Sequence, residues 1–198
     1  MIYVVKNFDK ISEKRIETLY DKLPRSIKKK ANARKGTPAF RPTVMEYYVV
    51  KQQLDLEDGT DFSYNKNGKP SVKGKKYFSI AHDDDVLAVA VSIYEIGVDV
   101  RKKIKFTQKL AKEICNKEEF EQVMNAEDQA LELTKIWTKK ESFVKMKGAS
   151  IAQFDIKTIL ENAKDCMFNF KFEDDSVVCE CINHESTEKR PRKTAVKK

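Results

Sequence analysis

The sequence has no apolar run long enough to span a bilayer, only two histidines among its 198 residues, and no CxxC pair among its four cysteines. The first absence argues against a membrane protein, and the opening MIYVVKNFDK lacks the apolar stretch of a signal peptide, so a cytoplasmic protein is expected. Too few histidines and no paired cysteines leave little to build a zinc site from, and reduced thiols suit a cytosolic setting. Cys179 and Cys181, two apart in a strand-like stretch, share one face and are expected to pack as small hydrophobes. No internal repeat is visible. No recognisable groove-binding or stacking motif interleaves aromatics with the basic residues, which argues against a nucleic-acid reader.

What the chain does have is positive charge. Lys and Arg number 39 against 31 Asp and Glu, a formal +8. That balance favours an anionic partner: nucleic acid, an acidic protein or a phosphorylated small molecule. Part of the excess sits in residues 185–198, ESTEKRPRKTAVKK, which hold six Lys or Arg and no aromatic and read as a disordered basic tail. With 40% hydrophobic residues, the remainder can bury a core as one compact unit or two small lobes.

Hydrophobic periodicity divides the chain. Residues 1–5 read as a strand, 10–23 as a helix, 24–30 as a basic cluster and 34–43 as irregular, broken by Gly36, Pro38 and Pro42. A helix is predicted over 44–56, a short strand over 61–64 and a turn at NKNGKP, 65–70. Strands follow at 77–81, 86–93 and 96–100, with HDDD, 82–85, as the turn between the first two. Beyond Lys105 the period becomes helical: 108–115, 118–125 and a long helix over 128–147 stopped by Gly148. Strands are expected at 155–160, 166–173 and 176–182. The order implies an α+β protein of two similar lobes, 1–94 and 95–184, each a small antiparallel sheet packed with helices.

Two stretches carry unusual residues. In EIGVDVRKK, 95–103, Ile96, Val98 and Val100 alternate with Gly97, Asp99 and Arg101, putting a carboxylate on the polar face of a strand. In IWTKKESFVKMKG, 136–148, Trp137, Glu141 and Lys145 recur every four residues along one helical stripe. Taken alone, Glu141 with Lys145 is an exposed ion pair worth roughly 0.3–0.5 kcal/mol. Likewise His82 alone is a surface histidine, and Gly68-Lys69-Pro70 alone is a turn.

Their order is more informative than any one of them. GKP (68–70), FSIAH (78–82), IGVDV (96–100) and WTKKESFVKMKG (137–148), spread over residues 24–151, resemble the 4′-phosphopantetheinyl transferase superfamily, in its larger, pseudo-dimeric, surfactin-synthetase-activating form. The resemblance implies two pseudo-symmetric lobes with the active site at their junction. It implies transfer of the phosphopantetheine arm of coenzyme A to a serine of an apo acyl or peptidyl carrier protein, releasing 3′,5′-ADP. Magnesium, with manganese as an alternative, would be held by Asp99 and Glu141, and Glu141 would also deprotonate the serine. Lys145 would meet the phosphates, His82 the 3′-phosphate, and Lys69 with Pro70 would lie beside the nucleotide. Arg25, Lys28, Arg41 and Thr43 would complete the phosphate cradle. The expected partner is an acidic carrier protein, met by a monomer that binds neither nucleic acid nor membrane.

Two positions depart from the family pattern. Arg101 stands where a further metal-binding Glu is common, and Ala81 where a phosphate-binding Ser is common. An arginine there could pair with a phosphate oxygen, pair with a carboxylate of the carrier protein, or weaken the metal site. Two alternatives therefore stand beside the transferase: a degenerate protein that binds coenzyme A or a carrier without catalysis, and a basic nucleic-acid-binding protein.

Overall fold

A computed structural model describes residues 1–184; the basic tail expected over 185–198 lies outside the described residues. The fold is α+β. Strand β1 (Ile2–Lys6) is followed by helices α1 (Glu13–Asp21), α2 (Arg25–Asn32) and α3 (Phe40–Leu54), then by the short hairpin β2 (Ser63–Tyr64) and β3 (Pro70–Ser71). Next come β4 (Tyr77–Asp83), β5 (Val86–Ser92) and β6 (Glu95–Lys102), helices α4 (Gln108–Ile114), α5 (Lys117–Asn125) and α6 (Gln129–Lys147), and the hairpin β7 (Cys166–Glu173) and β8 (Ser176–Asn183).

Two antiparallel three-stranded sheets organise these elements, in the orders β1-β5-β4 and β6-β8-β7. Helices of the N-terminal half cover one face of the first sheet through a core built on Ile27, Val44, Tyr47, Val50, Phe78 and Leu87. The opposite face meets the second sheet. Ala81, Ala88 and Ala90 from β4 and β5 pack there against Ile96, Val98, Val100, Val178 and Ile182, and the small alanines let the two sheets approach closely. Two side chains of β4 also serve the backbone of β6. Ser79 Oγ accepts from the Val98 amide at 3.0 Å, and Asp83 accepts from the Lys102 amide at 2.9 Å.

Several expectations are corrected. Residues 24–30 are not merely a basic cluster but most of helix α2, which buries Ile27 and Ala31, one turn apart, beneath a run of lysines. Pro42 does not break the chain: it stands in the first turn of α3, where its missing N–H is one of the unpaired donors anyway. The strand expected at 155–160 is instead irregular chain leading into a 3-10 segment, Ile159–Ala163. His82 lies inside β4, paired with Leu87 across the hairpin, because Asp84 takes a left-handed conformation (φ 49°) that closes the turn later.

Candidate active site

Both faces of β6 are buried, and that determines the setting of Asp99. Ile96, Val98 and Val100 face the first sheet, while the Gly97–Asp99–Arg101 face is covered by α6. The face that reads as polar and solvated from sequence is thus a helix–strand contact. Gly97 makes it feasible: a Cβ there would fall 2.0 Å from the Ser142 carbonyl oxygen and 2.3 Å from the Met146 nitrogen. With backbone against backbone, the Glu141–Lys145 stripe of α6 is pressed onto the Asp99 side of the strand.

Asp99 is 3% exposed and accepts a 2.6 Å hydrogen bond from Lys145 Nζ at Oδ1. Its Oδ2 is buried without a hydrogen-bond donor; Arg101 Nε, 3.9 Å away and also unpartnered, is too distant to serve it. The Arg101 guanidinium lies over the Trp137 ring, 6.0 Å from its centre. Burial pushes the Glu141 carboxyl above its ordinary range; the charge of Asp99 adds to this, and Lys145 and Arg101 oppose it. Asp99, Glu141, Lys145 and Arg101 therefore share one electrostatic site.

An orphaned carboxylate oxygen beside a second, destabilised carboxylate suits a hard divalent cation. Among the described residues, no group of three or more His, Cys, Asp or Glu converges to hold a metal. Asp99 and Glu141 are the two carboxylates that could hold such an ion. That fits an ion such as magnesium, which keeps several waters and takes phosphate oxygens as ligands.

Beside this centre opens a cleft of about 360 Å³ whose walls include Lys69, Pro70, Ile80, Glu141, Lys145 and Ile151. The NKNGKP turn forms one side and doubles as the cap of α6. Asn65 and Asn67 donate to the Gly148 carbonyl at 2.8 and 2.9 Å, and Lys69 Nζ donates to the carbonyls of Met146 and Ile96 at 2.5 and 3.1 Å. These are carbonyls at the helix end and on β6 that would otherwise go unmet. Lys69 lines the cleft while its ammonium joins the two halves of the chain.

His82 stands two residues beyond Ile80, on the same face of β4. Burial, then the charges of Arg34, Lys145 and Lys30, push its pKa down to about 4, against a smaller opposing effect of Asp83. A neutral imidazole among three cations is a ready site for an anion. Lys30, in the last turn of α2, and Arg34, two residues beyond its end, are the members of this group that sequence reasoning missed. The available signal is the helical spacing of Ile27 and Ala31, which a reading of 24–30 as a basic cluster passes over.

The other residues expected in the cradle fall elsewhere. Arg25 is exposed in the first turn of α2. Lys28 points to Asp21 and lies over the Tyr20 ring, 4.8 Å from its centre. Arg41 is occupied by the carbonyls of Phe8, Asp9 and Ile11 and by Glu13, tying α3 to the chain before α1. Thr43 is fully buried, but its Oγ1 accepts from Arg34 Nη1 at 2.8 Å and so touches the site through that arginine. Ala81 packs between the sheets rather than facing the cations. Lys140, the lysine before Glu141, is wholly buried and bonds Glu119 and the carbonyls of Ile114 and Ile156, a structural tie rather than a site residue.

Comparison with known proteins gives this arrangement a family. Over 116 residues the chain is 28% identical to the 4′-phosphopantetheinyl transferase gsp of Aneurinibacillus migulanus, covering 56% of this chain and 49% of that protein. It is 28% identical over 110 residues to the 4′-phosphopantetheinyl transferase Sfp of Bacillus subtilis (strain 168), covering 52% of this chain and 49% of the relative. The match to the 4′-phosphopantetheinyl transferase psf-1 of Bacillus pumilus is 24% over 121 residues, 59% of this chain and 50% of the relative. The chain thus spans about half the length of these relatives. The family model described as the 4′-phosphopantetheinyl transferase superfamily matches residues 95–193, half of the sequence, a span that holds Asp99, Glu141 and Lys145. The chain belongs to the 4′-phosphopantetheinyl transferase superfamily.

Proposed function

We propose that this protein transfers the 4′-phosphopantetheine group of coenzyme A to a serine hydroxyl of an apo acyl or peptidyl carrier protein, releasing 3′,5′-ADP. The observation that carries the reading is the meeting of Asp99, Glu141 and Lys145 across β6 and α6, beside a cleft lined by Ile80, two residues before His82 on the same face of β4. Residues 1–94 and 95–184 would act as two lobes, the first holding the nucleotide and the second the reacting pyrophosphate.

In this reading Glu141 takes the serine proton; its raised pKa is the direction a general base working near neutral pH needs. The serine oxygen forms a bond to the phosphorus on the pantetheine side of the pyrophosphate. The bond from that phosphorus to the bridging oxygen breaks, and the electron pair leaves with 3′,5′-ADP. Lys145 neutralises phosphate charge near the reacting bond, and His82 with Lys30 and Arg34 holds the 3′-phosphate. A magnesium or manganese ion held by Asp99 and Glu141 would supply further charge neutralisation on the pyrophosphate. An acidic carrier protein suits the net charge of +8.

A second reading, a protein that binds coenzyme A without transferring its arm, is favoured by one feature: the positive charge of Arg101, 3.9 Å from the orphaned oxygen of Asp99, opposes a metal cation there. Incubation with coenzyme A, magnesium and a panel of apo carrier proteins, read by intact mass, separates the two. The transferase adds one phosphopantetheine to at least one carrier, and chelation of the metal stops it. Coenzyme A binding with no mass change on any carrier supports the second reading.

A further inference from the structure

Beneath the cation group lies a carboxylate with no part in the chemistry so far. Glu46, on α3, is 2% exposed, and its Oε1 accepts from Lys30 Nζ. Arg34 acts on the same carboxylate through its charge and is anchored to Thr43, three residues before Glu46, by the 2.8 Å hydrogen bond to Oγ1. Thr43 Oγ1 in turn donates to the Ala39 carbonyl at 2.7 Å, which fixes the direction of its lone pairs. The Lys30 ammonium also lies over the Tyr64 ring, 5.9 Å from its centre.

Position 46 is a core position: Thr43, Tyr47 and Val50 around it are all buried. An apolar side chain would satisfy such a place, and a buried ion pair rarely repays the desolvation of its two charges. What the pair does provide is geometry. A free lysine side chain samples many rotamers, whereas one held by a buried carboxylate below and an aromatic ring beside it keeps its remaining donors aimed outward. Both Lys30 and Arg34 lie near enough to His82 for their charges to act on it.

We propose that Glu46 is a positioning residue for substrate recognition: it fixes Lys30, and with Thr43 orients Arg34, so that the pair discriminates ligands carrying a 3′-phosphate on the nucleotide ribose. This rests on the reading of the His82 group as the 3′-phosphate cradle. Glu46 itself touches no substrate.

Calorimetric titration of the full-length chain with coenzyme A and with dephospho-coenzyme A, which lacks the 3′-phosphate, tests it. The unmodified protein should bind coenzyme A more tightly. Glu46→Gln should weaken coenzyme A binding by about tenfold, with dephospho-coenzyme A changed less than about twofold. Lys30→Ala should lose the same discrimination, and the double variant should lose little more, since both changes remove one unit. Should Glu46→Gln fail to fold, Glu46→Asp keeps the charge but retracts it by one methylene, and an intermediate loss of discrimination is expected. If the unmodified protein discriminates but the Glu46 variants keep that preference, or weaken both ligands equally, Glu46 is only structural and the inference is overturned. If the unmodified protein binds both ligands equally, the cradle reading itself fails and takes the inference with it.

Discussion

Replacing Glu141 with glutamine removes one of two carboxylates crowded at the β6–α6 contact, and the sign of the effect on folding follows from the site. Burial and Asp99 both disfavour the ionised Glu141, while Lys145 and Arg101 offset part of that penalty. The balance leaves the carboxyl raised, so the ionised native state carries a cost that the glutamine variant lacks. Relief of such a cost is on the order of 1 kcal/mol, as for stabilising substitutions generally. For a chain of this size that raises Tm by about 2–4 °C in chelator. Because the native pKa of Glu141 lies above its unfolded value, the cost is present above the native pKa and fades as pH falls from there to the unfolded value. The gain of the variant should fade with it. Magnesium should reverse the order at neutral pH. An ion at ten times its dissociation constant stabilises the unmodified protein by about 1.4 kcal/mol and the variant much less. Thermal unfolding with chelator and with magnesium, at neutral and acidic pH, is the assay. A variant less stable than the unmodified protein in chelator, or an equal magnesium shift in both, refutes the two-carboxylate site. Transfer should fall by orders of magnitude in the variant, as expected when a metal ligand and base is removed.

Gly97→Ala would force a methyl group into a space where the Ser142 oxygen lies 2.0 Å away. It should cost more than about 3 kcal/mol in chemical denaturation, and near-normal stability would mean that α6 does not rest on β6 as described. His82 has a native pKa lowered to about 4 from an ordinary 6.5, so the stability it contributes as a neutral group is lost as pH falls from 6.5 towards 4. Discounted for its partial exposure, that loss is about 1–2 kcal/mol. His82→Gln should flatten the pH dependence in that window; an unchanged slope would place the buried titration elsewhere.

The parts of this fold legible from sequence are those with long, clean periodicity. β6 and α6 announce themselves through Ile96, Val98 and Val100 and through a helical pattern closed by Gly148, which takes the left-handed conformation (φ 62°) expected of such a stop. α2 was hidden because only two of its eight residues are buried and its lysines mimic a solvated cluster. Read as a basic cluster, 24–30 offers Arg25 and Lys28, whereas the charges of this region that act on His82 are those of Lys30 and Arg34. The alternation in residues 155–160 imitates a strand, yet the segment joins neither edge strand of its sheet, β6 or β7, and runs instead into the 3-10 segment Ile159–Ala163. Arg41 was misleading for another reason. It has the charge and the neighbourhood of a phosphate ligand, but three backbone carbonyls claim it first.

The NKNGKP turn has a consequence for anyone who would re-engineer this chain. Surface loops usually absorb insertions, tags and new termini, because their closure costs little and their side chains owe nothing to the rest of the fold. Here the loop's letters are committed. Asn65, Asn67 and Lys69 each reach across some eighty residues of sequence to the same helix end, and Lys69 also reaches the carbonyl of Ile96. Lengthening the turn by even one residue displaces all three donors together and uncaps the helix that carries Glu141 and Lys145. A library that randomises this segment to alter what the cleft accepts would therefore be screening for helix integrity first and specificity second, and the cleft is better reshaped from Ile80 and Ile151.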